Sequence, residues 1–221
     1  MPRSKFVFAI LLALSFFYGA QATFFGRKFI GYARVSESLA ERINDKNKLI
    51  VEGSGGSIGP GFYLVNDPAG WISEGSWYCA VKASKRKIKK MDKVYIPKSH
   101  LTKISETQVE RQNLWGEDET LIEKYITGRH LGGKSYIKDP KKTLRFSWVK
   151  NTNEQWQLQM AIPKKVLEES HLGLWAKCFQ SEEELKKYSD RVIPWEKWTK
   201  GKRFPPPPED WRSMNTHLIT N

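Results

Sequence analysis

The residues of this chain that could do chemistry are densest between Gly55 and Pro68, in the stretch GGSIGPGFYLVNDP. Gly55-Gly56-Ser57-Ile58-Gly59 matches G-x-S-x-G, the frame of a nucleophile elbow, in which a serine stands on a turn from strand to helix. The elbow needs a helix after the serine, yet Pro60, Gly61 and a β-rich run follow Ser57. A phosphate cradle needs G-x-x-x-x-G-K-[ST], or a G-x-G-x-x-G that opens a helix, and neither is present. A third reading remains, a glycine turn into a cleft-lining strand that presents Tyr63. His100, His130, His171 and His217 have no informative spacing, and no H-x-x-x-H or C-x-x-C pattern suits a metal. Glycosidase chemistry would need a pair of carboxylates, for which no pattern speaks.

Elements on both sides must position this loop. Phe29–Ser36, FIGYARVS, reads as a first strand, and Glu37–Asn47 as a helix with Leu39, Ala40 and Ile43 on one face and Ser36 as N-cap. After the loop, GFYLV, SWYCAVKA and KVYIP read as strands. Glu117–Gly128 reads as a helix with acidic residues early and Gly128 as its stop. LRFSWVK and EQWQLQMAIP are strands around an NTN turn, KKVLEES starts a helix after Pro163, and LGLWAKCF is a late strand. Ser105–Gln112, SETQVERQ, contains a Q-x-E at Gln108-Val109-Glu110 but reads as a solvated segment. From Ser189 the chain turns rich in Trp, Pro and charge. Pro205–Pro208 impose polyproline II, so residues 189–221 read as a tail, packed through Trp195, Trp198 and Trp211 or mobile. The class is α+β, since the strands do not alternate regularly with helices.

The chain opens with Arg3 and Lys5, a short apolar run and Ala20-Gln21-Ala22, which reads as a secretory signal peptide over residues 1–22. The apolar run is shorter than the roughly 20 residues of a membrane-spanning helix. Cys79 and Cys178 both survive cleavage, and an even pair in an oxidising compartment reads as one disulfide. The formal net charge of +13 attracts anionic partners without identifying a site. Its densest run, KASKRKIKKMDK (Lys82–Lys93), reads as a solvated strand-and-turn face, and no nucleic-acid-binding motif accompanies it. Nucleic acid is therefore not among the expected partners.

Several separated pieces fall into a familiar order: GYARVSES, then GGSIGPGFYLVNDPAGW, then WYCAVKA leading to KVYIP, and last EQWQLQMAIPKKVL. Together, over roughly Phe29 to Phe179, they resemble the secreted ADP-ribosyltransferases of the heat-labile enterotoxin A-chain type, in particular the divergent forms of fungi that infect plants or insects. The resemblance implies an α+β fold of split mixed and antiparallel sheets around an NAD cleft. It implies that Arg34 holds the cofactor's phosphates, a task suited to the planar fork of a guanidinium. Ser36 and Gly61 would flank the cofactor, and Tyr63 would stack on nicotinamide. The family's catalytic glutamate places negative charge where positive charge develops in the transition state. Its slot here falls at Gln155 or Gln157, beside Glu154, the one acidic residue of EQWQLQ.

The expectation is a secreted toxin or effector that transfers ADP-ribose from NAD to a host protein and works as a monomer without a membrane anchor. A second reading is a catalytically silent effector that keeps the fold as a binding surface for a host partner. A third is a serine esterase acting through Ser57.

Overall fold

A computed structural model describes residues 26–50, 56–70, 77–105, 107–116, 118–128, 137–151, 153–198 and 204–208. The expected signal peptide, His130, His217 and Trp211 lie outside the described residues. Among the described residues nine strands and five α-helices make an α+β domain: β1 (Arg27–Val35), α1 (Glu37–Lys46), β2 (Gly61–Val65), β3 (Trp77–Ser84), α2 (Lys85–Lys90), β4 (Lys93–Tyr95), β5 (Ser99–Lys103), β6 (Val109–Asn113), α3 (Glu119–Thr127), β7 (Leu144–Lys150), β8 (Trp156–Pro163), α4 (Lys164–Glu168), β9 (Trp175–Phe179) and α5 (Glu182–Tyr188). Seven strands form one mixed sheet in the order β4-β7-β8-β2-β1-β3-β9, while β5 and β6 pair as a separate hairpin. Only the β4–β7 pair is parallel; the other pairs are antiparallel.

The large sheet parts in its middle. β1 is paired with β3 along its length, from Arg27 opposite Ser84 to Val35 opposite Trp77. It meets β2 at a single position, Tyr32 opposite Val65. A four-stranded half and a three-stranded half therefore share one hinge-like contact. Gly31 permits it, because a Cβ there would come within 2.8 Å of the Leu64 side chain. The chain from Ser189 to Trp195 fills the parting. The Tyr32 hydroxyl hydrogen-bonds Ser189 Oγ (2.7 Å) and donates to the Arg191 carbonyl (2.8 Å). Ile193 N–H donates to the Asn66 carbonyl at 2.9 Å, and Trp195 Nε1–H to the Ile30 carbonyl at 2.8 Å. Backbone groups that neighbouring strands would have paired are thus satisfied by the tail.

Local signals explain most elements. Ser36 caps α1 by accepting from Leu39 N–H, and Leu39, Ala40 and Ile43 form its buried face. Asp118 caps α3, which buries Ile122, Tyr125 and Ile126. The main core joins β1, β2, β3, β7, β8 and β9 to α1, to Ile88 of α2 and to Trp195, which is fully buried. A smaller cluster under α3 gathers Ile58, Val94, Ile96, Leu114 and Ala161. Cys79 and Cys178 are bonded, at directly opposed positions of β3 and β9. The expected disulfide is present. Among the described residues no helix is long and apolar enough to cross a membrane.

Two differences from the sequence reading have physical causes. Ser84 caps a short helix, α2, inside the basic run, because Ile88 can bury one face against the core while the lysines stay in water. β8 begins at Trp156, since Asn151 Oδ1 accepts from Asn153 and Gln155 N–H (2.9 Å each) and holds residues 153–155 off the strand. Ser189–Trp198 packs against the domain, the first of the two alternatives the tail left open.

Candidate functional site

Antiparallel pairing sets the candidate residues in rows across the sheet. One row runs Tyr32, Val65, Gln159, Ser147. Two residues along, the next runs Tyr63, Ala161, Arg145, while Arg34 stands on β1 two residues beyond the position where that strand meets β2. Directly opposed residues share a face of the sheet. Gly56–Pro60 folds over this face as a roof.

Three side chains clamp the roof. The Tyr63 hydroxyl accepts from Ile58 N–H at 3.0 Å and donates to the Gly59 carbonyl at 2.6 Å. Burial is the main cause that pushes its pKa up to about 12. Gln159, almost fully buried, donates from Nε2 to Ser57 Oγ (2.8 Å) and to Ser147 Oγ (2.7 Å). Arg145 is 0% exposed. Its Nη1 donates to the Ile58 carbonyl at 3.1 Å and to Glu119 Oε2 at 2.8 Å, while Nη2 donates to Glu119 Oε1 at 2.5 Å. The fork-to-carboxylate pairing supplies the counter-charge that a buried guanidinium requires. The glycines are steric necessities here. A Cβ on Gly56 would strike the Tyr63 ring, and one on Gly59, at φ +95°, would strike Arg145 and Glu119.

After Ser57 the chain makes a turn and enters β2, so the strand-to-helix frame of a nucleophile elbow is not formed. Ser57 Oγ is instead a partner of the Gln159 amide.

The expected cofactor and catalytic residues occupy two separate ends of the sheet. Arg34 Nη2 donates to the Tyr78 hydroxyl at 2.5 Å, with its guanidinium carbon 4.5 Å from the centre of the Tyr78 ring. The hollow beside it, about 400 Å³, is lined by Glu37, Glu182 and Glu183 along with Trp77 and Tyr78. Ser36 is the N-cap of α1, and Gly61 lies opposite Pro163 at the start of β2. Gln157 donates from Nε2 to Asn66 Oδ1 at 2.5 Å, at the far end of β2. Four residues separate Gln157 from Ala161, roughly 13 Å at about 3.3 Å per residue. Gln155 and Glu154 lie further still, in the turn before β8. Glu154 has φ +59°, pairs with Lys150 at 3.2 Å and leaves 73% of its side chain exposed.

Arg34 and Tyr63 therefore stand on either side of the parting, Arg34 on Tyr78 and Tyr63 under the roof, while Glu154, Gln155 and Gln157 stand apart from Tyr63. The β8 residues nearest to that row are Ala161 and Gln159. Sequence reasoning missed Gln159, Ser147, Arg145 and Glu119. The alternation Gln155-Gln157-Gln159 carried a signal for the first, because alternate residues of a strand share a face, but nothing local marks that Gln155 stays in the turn or which of the others is buried. Chemically, the site offers amides, hydroxyls and one neutralised ion pair. It can donate and accept hydrogen bonds, but no free carboxylate of the described residues stands in it.

Fold and site together define a disulfide-linked α+β domain with a parted mixed sheet, roofed by a glycine loop and closed by its own C-terminal segment. The chain belongs to a family of unknown function, DUF5910, whose sequence profile matches residues 56–203. The match begins at the glycine loop and takes in the segment that fills the parting. No curated protein matches the chain.

Proposed function

We propose that the protein is a secreted effector built on an ADP-ribosyltransferase-type split sheet, and that it acts by binding a partner rather than by transferring ADP-ribose. The parted sheet, with Arg34 at the end of β1, supports the fold assignment. One observation carries the binding reading: among the described residues the Tyr63–Ala161–Arg145 row meets no carboxylate but Glu119, which Arg145 neutralises, and Glu154 lies at the opposite end of β8 in a lysine pair. An amide in the slot keeps hydrogen bonds and loses the charge, a change that costs on the order of 10²–10³ in rate. Glu37, Glu182 and Glu183 line a hollow with Tyr78, the hydrogen-bond partner of Arg34, and oppose a pyrophosphate there as well.

The test is incubation of the purified protein with labelled NAD⁺ and host lysate, beside Arg34→Ala and Glu154→Ala variants. Binding without chemistry gives neither label transfer nor NAD⁺ hydrolysis in any of the three. Transfer by the parent that both substitutions abolish would establish the transferase instead. Hydrolysis of a p-nitrophenyl ester that Ser57→Ala removes would establish the esterase.

A further inference from the structure

The lysine-rich run after β3 does not stand alone in the folded protein. Lys85 N–H donates to the Gly26 carbonyl at 2.7 Å, which seats the first turn of α2 beside the start of β1 and brings Arg27 and Lys28 next to Lys85. Lys93 Nζ caps the other end of α2 through the carbonyls of Ile88 (2.8 Å) and Met91 (2.7 Å). Two hollows, of about 450 Å³ and about 980 Å³, share Lys28, Lys85 and Trp198 as lining and so form one groove. The first has a cationic rim of Arg27, Lys28, Lys82, Lys85 and Arg191. Its floor is apolar: Phe29, Trp175, Ile193, Pro194 and Trp198, with the exposed Val192 at the edge. The second continues along α2 past Arg86, Lys89 and Lys90, and among the described residues Asp92 is the single acidic one lining either hollow.

The cations are held in place rather than waving in solvent. Lys28 Nζ sits 3.8 Å from the Trp198 ring centre. Lys82 Nζ donates to the Tyr188 hydroxyl at 2.6 Å and lies 4.5 Å from the Phe29 ring and 5.0 Å from that of Trp175. Ring-held ammonium groups lose little freedom when an anion arrives. Burial, and then repulsion from Lys85, lowers the pKa of Lys28. An anion between these lysines would relieve that repulsion.

We propose that this groove binds single-stranded nucleic acid, with phosphates tracking α2 and a base seated on the aromatic floor between Trp198 and Trp175. Charge alone would suit any polyanion. The apolar, ring-lined floor beneath a cationic rim is what favours a ligand whose phosphates alternate with flat apolar groups. The inference deepens the binding reading above by naming one partner's chemistry, and the two fail separately. Transfer from NAD⁺ would overturn that reading with the groove untouched, whereas loss of oligonucleotide binding would leave the parted sheet untouched.

The experiment is fluorescence anisotropy of a labelled 12-nucleotide oligo-dT and oligo-U on the full protein. Unlabelled inorganic polyphosphate and a sulfated glycan of equal charge serve as competitors. Expected is binding tighter than about 100 μM at low salt, falling steeply as salt rises. Lys85→Gln with Arg86→Gln and Lys89→Gln should weaken it at least tenfold and reduce the salt slope by roughly 2, at about 0.7 per phosphate contact. Trp198→Ala should cost about fivefold or more for the oligonucleotide, Trp198→Phe should restore it, and polyphosphate binding should hardly move. Competition by polyphosphate or glycan as strong as by oligonucleotide, or equal losses for all ligands in Trp198→Ala, would replace the proposal with a general anion surface. Unchanged binding in the triple variant would remove the groove from consideration.

Discussion

At the residue scale the most constrained group is Arg145. A guanidinium with no exposure is tolerated because Glu119 meets it with both oxygens and because it carries the roof through the Ile58 carbonyl. Removing the carboxylate leaves the charge buried and uncompensated, at a cost of about 3–5 kcal/mol. Glu119→Ala should therefore lower stability by that amount in denaturant unfolding. Adding Arg145→Met to it should recover most of the loss, because the stranded charge goes too. A single-variant cost below about 1 kcal/mol would mean that water reaches the guanidinium. The same logic explains why Gln159 fits where a glutamate would not. Its amide donates to two serine hydroxyls in a site that offers a carboxylate no counter-charge of its own, since Arg145 is already matched.

Among the elements, the C-terminal segment has a role that its composition hides. Prolines and scattered tryptophans read as a tail, packed over the domain or mobile. Ser189–Trp198 instead supplies the bonds that β1 and β2 do not make to each other beyond Tyr32 and Val65. Phe204 continues the packing against Tyr95 and Phe146, and the Pro205 carbonyl accepts from Trp148 Nε1 at 2.9 Å. Trp195→Ala should cost about 3–5 kcal/mol, the range for emptying a large aromatic site in a core. Ending the chain after Tyr188 should abolish cooperative unfolding altogether, as followed by near-UV circular dichroism. A truncated chain that unfolds at the parent's denaturant midpoint would show that the parting closes without the segment.

For the molecule as a whole, the buried tyrosines set an alkaline limit. Burial raises the pKa of Tyr63, to about 12, and those of Tyr32, Tyr95 and Tyr125. In the unfolded chain these phenols ionise near 10, so above that pH the folded state binds more protons and stability falls as pH rises. Their contribution is intact below pH 10 and is lost above it, for Tyr63 between about 10 and 12. Tyr63 alone accounts for on the order of 2 kcal/mol of the decline. Lys28, whose pKa is lowered, works in the opposite sense, since its cost fades as the lysine neutralises. Urea midpoints from pH 8 to 12 should stay level to about pH 10 and then drop. Tyr63→Phe should make that drop shallower; a slope unaltered in Tyr63→Phe would place the titration elsewhere. The Cys79–Cys178 bond, across 99 residues of chain, ties the three-stranded half together on the side away from the roof.

Wherever a residue's own chemistry or its near neighbours were decisive, the amino-acid sequence determined the outcome. Ser36 as a cap, the Leu39-Ala40-Ile43 face, the span Gly61–Val65, the stop at Gly128 and the Cys79–Cys178 pair are all legible without coordinates, because caps, periodicity and cysteine parity act over a few residues or through one bond. What lies far apart along the chain was decided only by tertiary structure. The turn held by Asn151 moved Glu154 off its strand, and the register of β8 on β2 and β7 buried Gln159 rather than Gln155 or Gln157. Glu119 found Arg145 across 26 residues, and Trp195 found Ile30 across 165. The glycine loop shows both halves of the matter. Its composition announces that backbone and neighbours must approach closely, but only the fold reveals that the neighbours are Tyr63, Arg145 and Glu119, since close approach is a property of surfaces that the chain brings together last.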